Sequence, residues 1–125
     1  MSALEDQLAW QLATLDLPPP EREYRWAARL VGEGKGLRGR LAAAGLKDWR
    51  YDFAWPAQRL AVEVEGGAWV GGRHTRGAGF TADIAKYHAA LSHGWTVYRC
   101  DARLVRTGEA ARLVRVLLDR LDFRI

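Results

Sequence analysis

The chain is poor in cysteine, in lysine and in long apolar runs, and each shortage removes a class of protein. Cys100 is the one cysteine in 125 residues, which excludes an internal disulfide and any cage of thiolates around zinc. No apolar window approaches the length needed to span a bilayer, so no membrane partner is expected. The opening, MSALEDQLAW, carries acids where a secretory signal needs bases, and a reducing, cytoplasmic home is the simplest expectation. A GxGxxG turn and a Walker-type lysine are both missing, so nucleotide cradling is a poor fit. Internal repeats, low-complexity tracts and linkers are absent as well, and residues 1–125 are expected to form one domain. Lysine is far outnumbered by arginine, within a net charge of +4. Arginine suits planar, bidentate contact with phosphate, although the codons of a GC-rich genome produce the same bias.

What is present reads as helices alternating with short strands. Leu4, Leu8, Leu12 and Leu15 recur at helical spacing, with Ser2 and Glu5 forming a capping-box pattern and Pro18, Pro19 and Pro20 as the stop. EREYRWAARLV is ambiguous between strand and helix. A short helix is expected over 37–44, closed by Gly45. WRYDFAW alternates like a strand, with Trp49, Tyr51, Phe53 and Trp55 on one face and Arg50, Asp52 and Ala54 on the other. PAQR is a turn, and LAVEVE runs back as the next strand. A glycine-rich basic loop follows, then a helix over 82–92 capped by Thr81, the strand WTVYRC and an amphipathic C-terminal helix. This order describes an α/β domain with a mixed central sheet flanked by helices.

The LAVEVE strand poses a problem, because Glu63 and Glu65 sit on one side of it, about 7 Å apart. If the PAQR turn pairs Trp55 with Leu60, then Asp52 faces Glu63 and Arg50 faces Glu65. Three carboxylates then converge on one patch, where directly opposed like charges destabilise. One of them could hold a proton with a raised pKa. A hard cation, Mg²⁺ or Mn²⁺, could instead be bound through one or two of them. The third possibility is a charged, solvated strand edge that blocks aggregation.

The pattern Y-D-F-A-W-P followed by E-V-E-G-G, with ten residues between Asp52 and Glu63, resembles the PD-(D/E)XK nuclease superfamily, and within it the small phage-type and very-short-patch-repair-like endonucleases. The similarity is strong over residues 50–100 and looser in the flanking helices. It implies a restriction-endonuclease-like fold and a metal-dependent endonuclease acting on DNA phosphodiesters. Asp52 and Glu63 would ligate Mg²⁺ (or Mn²⁺), the Val64 carbonyl could be a further ligand, and Glu5 would bind through water. The superfamily lysine is replaced by Glu65. Lys86, on the following helix, is the candidate substitute, or else an ordinary solvated residue paired with Asp83. Tyr87 reads as core packing.

Arg73, His74 and Arg76 lie among glycines directly after the acidic strand, which suits close approach to phosphate. His74 is also a candidate proton carrier. Lys35, Arg38 and Arg40 form a second basic strip for gripping a DNA backbone. Arg112 and Arg115 read as a solvated helix face, and His88 and His93 as structural. Branched, nicked or mismatched DNA is the expected substrate, and a homodimer would suit a symmetrical junction. The rival readings are a nucleic-acid-binding module that kept the fold and lost cutting, and an acid/base enzyme, which needs a closed pocket that nothing in the chain points to.

Overall fold

Leu60, Ala61 and Val62 are consecutive, and all three are fully buried. Successive strand residues point to opposite sides, so both faces of this strand must be covered. The computed structural model, which describes residues 2–66 and 78–122, shows how. The elements are α1 (Ala3–Thr14), β1 (Glu21–Tyr24), α2 (Trp26–Val31), α3 (Leu37–Ala44), β2 (Tyr51–Trp55), β3 (Leu60–Glu65), α4 (Ala78–Ser92), β4 (Thr96–Asp101), α5 (Ala102–Arg106) and α6 (Glu109–Leu121). The sheet order is β1-β2-β3-β4. The first three strands are antiparallel, and β4 joins β3 in parallel across the α4 crossover. The fold is therefore a mixed four-stranded sheet flanked by helices, as the sequence implied.

Two apolar layers sandwich the sheet. Phe53, Trp55, Leu60, Val62 and Cys100 face α1, α5 and α6 through Leu8, Leu12, Val105, Val114 and Leu118. Tyr51, Ala54, Ala61 and Trp95 face α2, α3 and α4 through Trp26, Ala27, Leu41 and Ala90. Each large side chain buried in this way contributes about 1.5–3 kcal/mol. Among the described residues no helix is long and apolar enough to cross a membrane.

Several local expectations hold. Ser2 caps α1 by accepting from the Glu5 N–H. Gly45 ends α3 in the left-handed region at φ 70°, where glycine lacks the Cβ clash. The hairpin register is Phe53↔Val62, Ala54↔Ala61 and Trp55↔Leu60. EREYRWAARLV resolves into strand and then helix. The α4 helix begins at Ala78, so Thr81 lies inside it and is not its cap. The five-residue α5 was not foreseen; Asp101 caps it by accepting from the Leu104 N–H.

The face alternation of β2 requires correction. Phe53 and Trp55 pack with α1, whereas Tyr51 packs with α2 and α4. The aromatics of WRYDFAW therefore do not share one face, and the switch falls at Asp52. Its neighbour β1 switches at the matching point. Arg22, paired with Phe53, lies over the Phe53 ring on the α1 side. Tyr24, paired with Tyr51, packs on the other side. Between them Glu23 has φ 50°, a left-handed conformation that costs a non-glycine residue about 1–3 kcal/mol. The two strands thus turn over together at Glu23 and Asp52.

Candidate active site

The double switch decides where the acids go. Regular alternation would have set Asp52 opposite Glu63 on the α4 side. Instead the β2–β3 pairing stops at Phe53↔Val62, and the Asp52 carboxylate takes the next place in the ladder, accepting the Val64 N–H at 2.8 Å. Its charge is close to those of Glu5, Glu63 and Glu23. Oxygens of Glu5, Glu23 and Asp52 all lie within 4.8 Å of one another, making a three-carboxylate cluster that could hold a cation. Burial, reinforced by the charges of Glu5 and Glu63, pushes the Asp52 carboxyl up to about 6 against the opposing Val64 hydrogen bond.

Glu5 reaches the cluster from the first turn of α1. Its Oε1 is buried and has no hydrogen-bond partner among the described residues, while its Oε2 accepts from the Ser2 hydroxyl at 3.3 Å. A buried carboxylate oxygen without a donor is costly to leave unmatched, and a cation is one way to satisfy it. Glu23 faces Arg50 at 3.9 Å. Sequence reasoning missed Glu23, since EREY admitted either helix or strand and nothing in it announces a positive φ.

Glu63 is 7% exposed and is the one buried charged residue among those described. It reaches α4. Its Oε2 accepts from Lys86 Nζ at 2.6 Å, and its Oε1 accepts from the Tyr87 hydroxyl. Both oxygens thus accept from α4, and Glu63 is not one of the three carboxylates of the Glu5–Glu23–Asp52 cluster. Lys86 is not the solvated partner of Asp83 weighed above, and Tyr87 is not mere packing. Burial and the Glu63 contact push the Tyr87 phenol well above its ordinary range.

Glu65 pairs with Arg99 at 3.3 Å, and Arg99 also lies over the Tyr87 ring. Arg50 therefore does not neutralise Glu65. Val64 enters the site through its N–H, bound to Asp52, rather than through an observed carbonyl contact. Behind the strand the Cys100 thiol donates weakly to the Glu63 carbonyl, and burial pushes it up to about 12. It is a core residue without nucleophilic character.

Of the basic residues, Arg73, His74 and Arg76 lie outside the described residues. Arg40 is occupied: its guanidinium donates to the carbonyls of Gly32, Glu33 and Lys35, closing the glycine-rich loop before α3. That leaves Lys35 and Arg38 as the exposed cations of that strip.

No family model matches the chain. Two uncharacterized proteins of Mycobacterium tuberculosis, MT2308 of strain CDC 1551 and Rv2248 of strain H37Rv, are each 30% identical to it over 121 residues. The match takes in 97% of this chain, which spans 37% of the length of those relatives. The catalytic domain of the homing endonuclease I-Bth0305I superposes with a TM-score of 0.59, covering 97% of this chain and 98% of that domain at 13% identity. At that identity the likeness is one of fold: this chain is built on the same framework as a nuclease catalytic domain.

Proposed function

We propose that the chain is a metal-dependent endonuclease of the PD-(D/E)XK type acting on DNA, with its metal centre at Asp52, Glu23 and Glu5. The observation that carries this reading is the convergence of three carboxylates at a strained strand switch, in a fold shared with a nuclease catalytic domain. The donor set is all oxygen, which suits Mg²⁺ or Mn²⁺, and the buried Glu5 Oε1, without a donor among the described residues, would be available as a ligand.

A divalent cation bound there supplies positive charge against the scissile phosphate and makes water a better nucleophile at neutral pH. The protein's own groups do the rest. Asp52, fixed by the Val64 N–H, holds its oxygens toward Glu5 and Glu23. Glu63 and Tyr87 position the Lys86 ammonium near the acids, where it stabilises charge on phosphate as oxygen attacks phosphorus and the P–O bond to the leaving oxygen breaks. Glu65, paired with Arg99, takes a supporting part. His74, Arg73 and Arg76 are assigned phosphate contact, with His74 passing a proton to the leaving group.

The test is incubation with branched, nicked, mismatched and fully paired DNA in Mg²⁺ or Mn²⁺, repeated with Asp52→Ala, Glu23→Gln and Glu63→Ala. Metal-dependent product from the native protein, lost in Asp52→Ala and Glu23→Gln, is expected. Cutting that survives Asp52→Ala would show the site is elsewhere.

A second reading, a nucleic-acid-binding module that no longer cuts, is favoured by the complete engagement of Glu63 by Lys86 and Tyr87 and by Glu65 standing where the superfamily has lysine. It predicts salt-sensitive DNA binding with no metal heat in calorimetry and no product.

A further inference from the structure

At the C-terminal ends of β3 and β4, three charged side chains share the α4 side of the sheet. The parallel register sets Glu63 against Arg99 and Glu65 against Asp101, and Ala61, Glu63 and Glu65 alternate onto one face. Arg99 lies on that face as well, its guanidinium carbon 4.7 Å from the centre of the Tyr87 ring. Two cations therefore stand there, Lys86 and Arg99, and they are held very differently.

Lys86 is committed. Its side chain is 18% exposed and meets Glu63, 10% exposed, at 2.6 Å, so withdrawing it would strand a buried carboxylate. Arg99 is exchangeable. Its side chain and that of Glu65 are each 42% exposed, and its Nη2 and Nε stand 3.3 and 3.4 Å from the Glu65 oxygens. An exposed pair of this kind is weak and readily exchanged. The Arg99 Nη1 makes no hydrogen bond among the described residues. The Tyr87 ring meanwhile restricts the guanidinium, whose planar fork suits phosphate.

Arg99 also stands at the same end of the sheet as the acids. Asp52 feels the charge of Glu63, and Arg99 is at the Glu63 rung of the next strand, roughly 5 Å away between backbones. We propose that Arg99 grips a backbone phosphate of the bound DNA, exchanging Glu65 for it while the Tyr87 ring keeps the guanidinium in place. Glu65 is then an internal competitor, occupying the fork until a phosphate arrives. The proposal rests on the nuclease reading for its choice of polymer, and it adds a named phosphate contact to that reading.

Duplex DNA binding is measured by fluorescence anisotropy in EDTA across a salt series, so that it is independent of cutting, and thermal melting checks that each variant is folded. Arg99→Gln is expected to bind about tenfold more weakly and to lower the slope of log affinity against log salt by about 0.9. Arg99→Lys should keep the slope and recover only part of the affinity, since the charge remains and the fork is lost. Glu65→Gln should bind more tightly than the native protein, and should change nothing once Arg99→Gln is present, because the competitor acts only through Arg99. Arg29 supplies a charge-matched control: it lies over the Tyr24 ring at 5.2 Å and pairs with Glu21 at 3.2 Å, beside β1 at the opposite edge of the sheet. Arg29→Gln should leave the slope at its native value. An unchanged slope in Arg99→Gln, an equal fall in Arg29→Gln, or a Glu65→Gln effect that persists without Arg99 would overturn the proposal, as would a native protein that binds no DNA. Competition by inorganic phosphate as strong as that of duplex at equal phosphate content would overturn the assignment to a polymer. Cleavage in Mg²⁺ with an unchanged Arg99→Gln slope would sink the contact and spare the nuclease; the expected slopes without cleavage would do the reverse.

Discussion

Replacing Asp52 by asparagine should make the protein more stable while removing its metal response. Asparagine keeps an oxygen for the Val64 N–H and offers an amide donor to Glu5 and Glu23. The carboxyl of Asp52 sits at about 6, against an ordinary 3.8. Between those values the folded state binds more protons than the unfolded one, so this group's contribution to stability falls as pH rises from about 4 to about 6. Two pH units correspond to about 3 kcal/mol, and the partial exposure of Asp52 reduces this to about 1–2 kcal/mol. At about 4 °C per kcal/mol for 125 residues, Asp52→Asn should melt about 4–8 °C above the native protein at pH 8 in EDTA. The gap should close below pH 4, where both side chains are neutral. Mn²⁺ at a hundredfold excess over its dissociation constant should raise the native protein by about 2.7 kcal/mol and leave the variant unmoved. Differential scanning fluorimetry across pH, with and without metal, reads all of this. A variant no more stable than the native protein at pH 8, or one that gains equally from Mn²⁺, would refute the reasoning.

Removing the Lys86 ammonium (Lys86→Met) should cost about 2–4 kcal/mol in urea unfolding, below the range for an isolated buried ion because Tyr87 still donates to Glu63. Adding Glu63→Gln to that variant should restore most of the loss, and a strictly additive double variant would deny the coupling. Gly45→Ala should cost about 1–2 kcal/mol by the same assay: a Cβ there meets open space, so the penalty is that of the left-handed backbone alone. For DNA binding, Lys35→Ala with Arg38→Ala should lower the slope of log affinity against log salt by about 2. Arg40→Ala should instead reduce thermal stability, because its guanidinium holds the Gly32, Glu33 and Lys35 carbonyls.

The parts of this fold governed by local chemistry were legible in the sequence. PAQR between two apolar runs set the hairpin register, Gly45 marked the end of α3, and Ser2 marked the start of α1. For Lys86 the sequence left two readings, a lysine serving the acids or a solvated partner of Asp83, and only the approach of β3 to α4 pairs it with Glu63. What escaped was non-local. Period-two reasoning carried Tyr51 and Phe53 onto one face, because a strand switch leaves no mark in the pattern of apolar residues. Glu23 was invisible for the same reason, its φ being imposed by pairing with β2 rather than by its own preference. Tyr87 looked apolar on its helix, and only the approach of β3 gives its hydroxyl a partner.

The turnover shared by β1 and β2 has a further consequence. The acidic trio is presented by main-chain geometry, with Arg22 against Phe53 on one side of the bend and Tyr24 against Tyr51 on the other. Of the three carboxylates, that of Asp52 alone joins the ladder, through the Val64 N–H, where an amide oxygen would serve as well. Descendants of such a chain could therefore trade their acids for neutral residues one at a time, shedding chemistry without shedding architecture. A silent copy and a working one would then be indistinguishable by shape, and only the identity of the residues at 5, 23 and 52 would tell them apart.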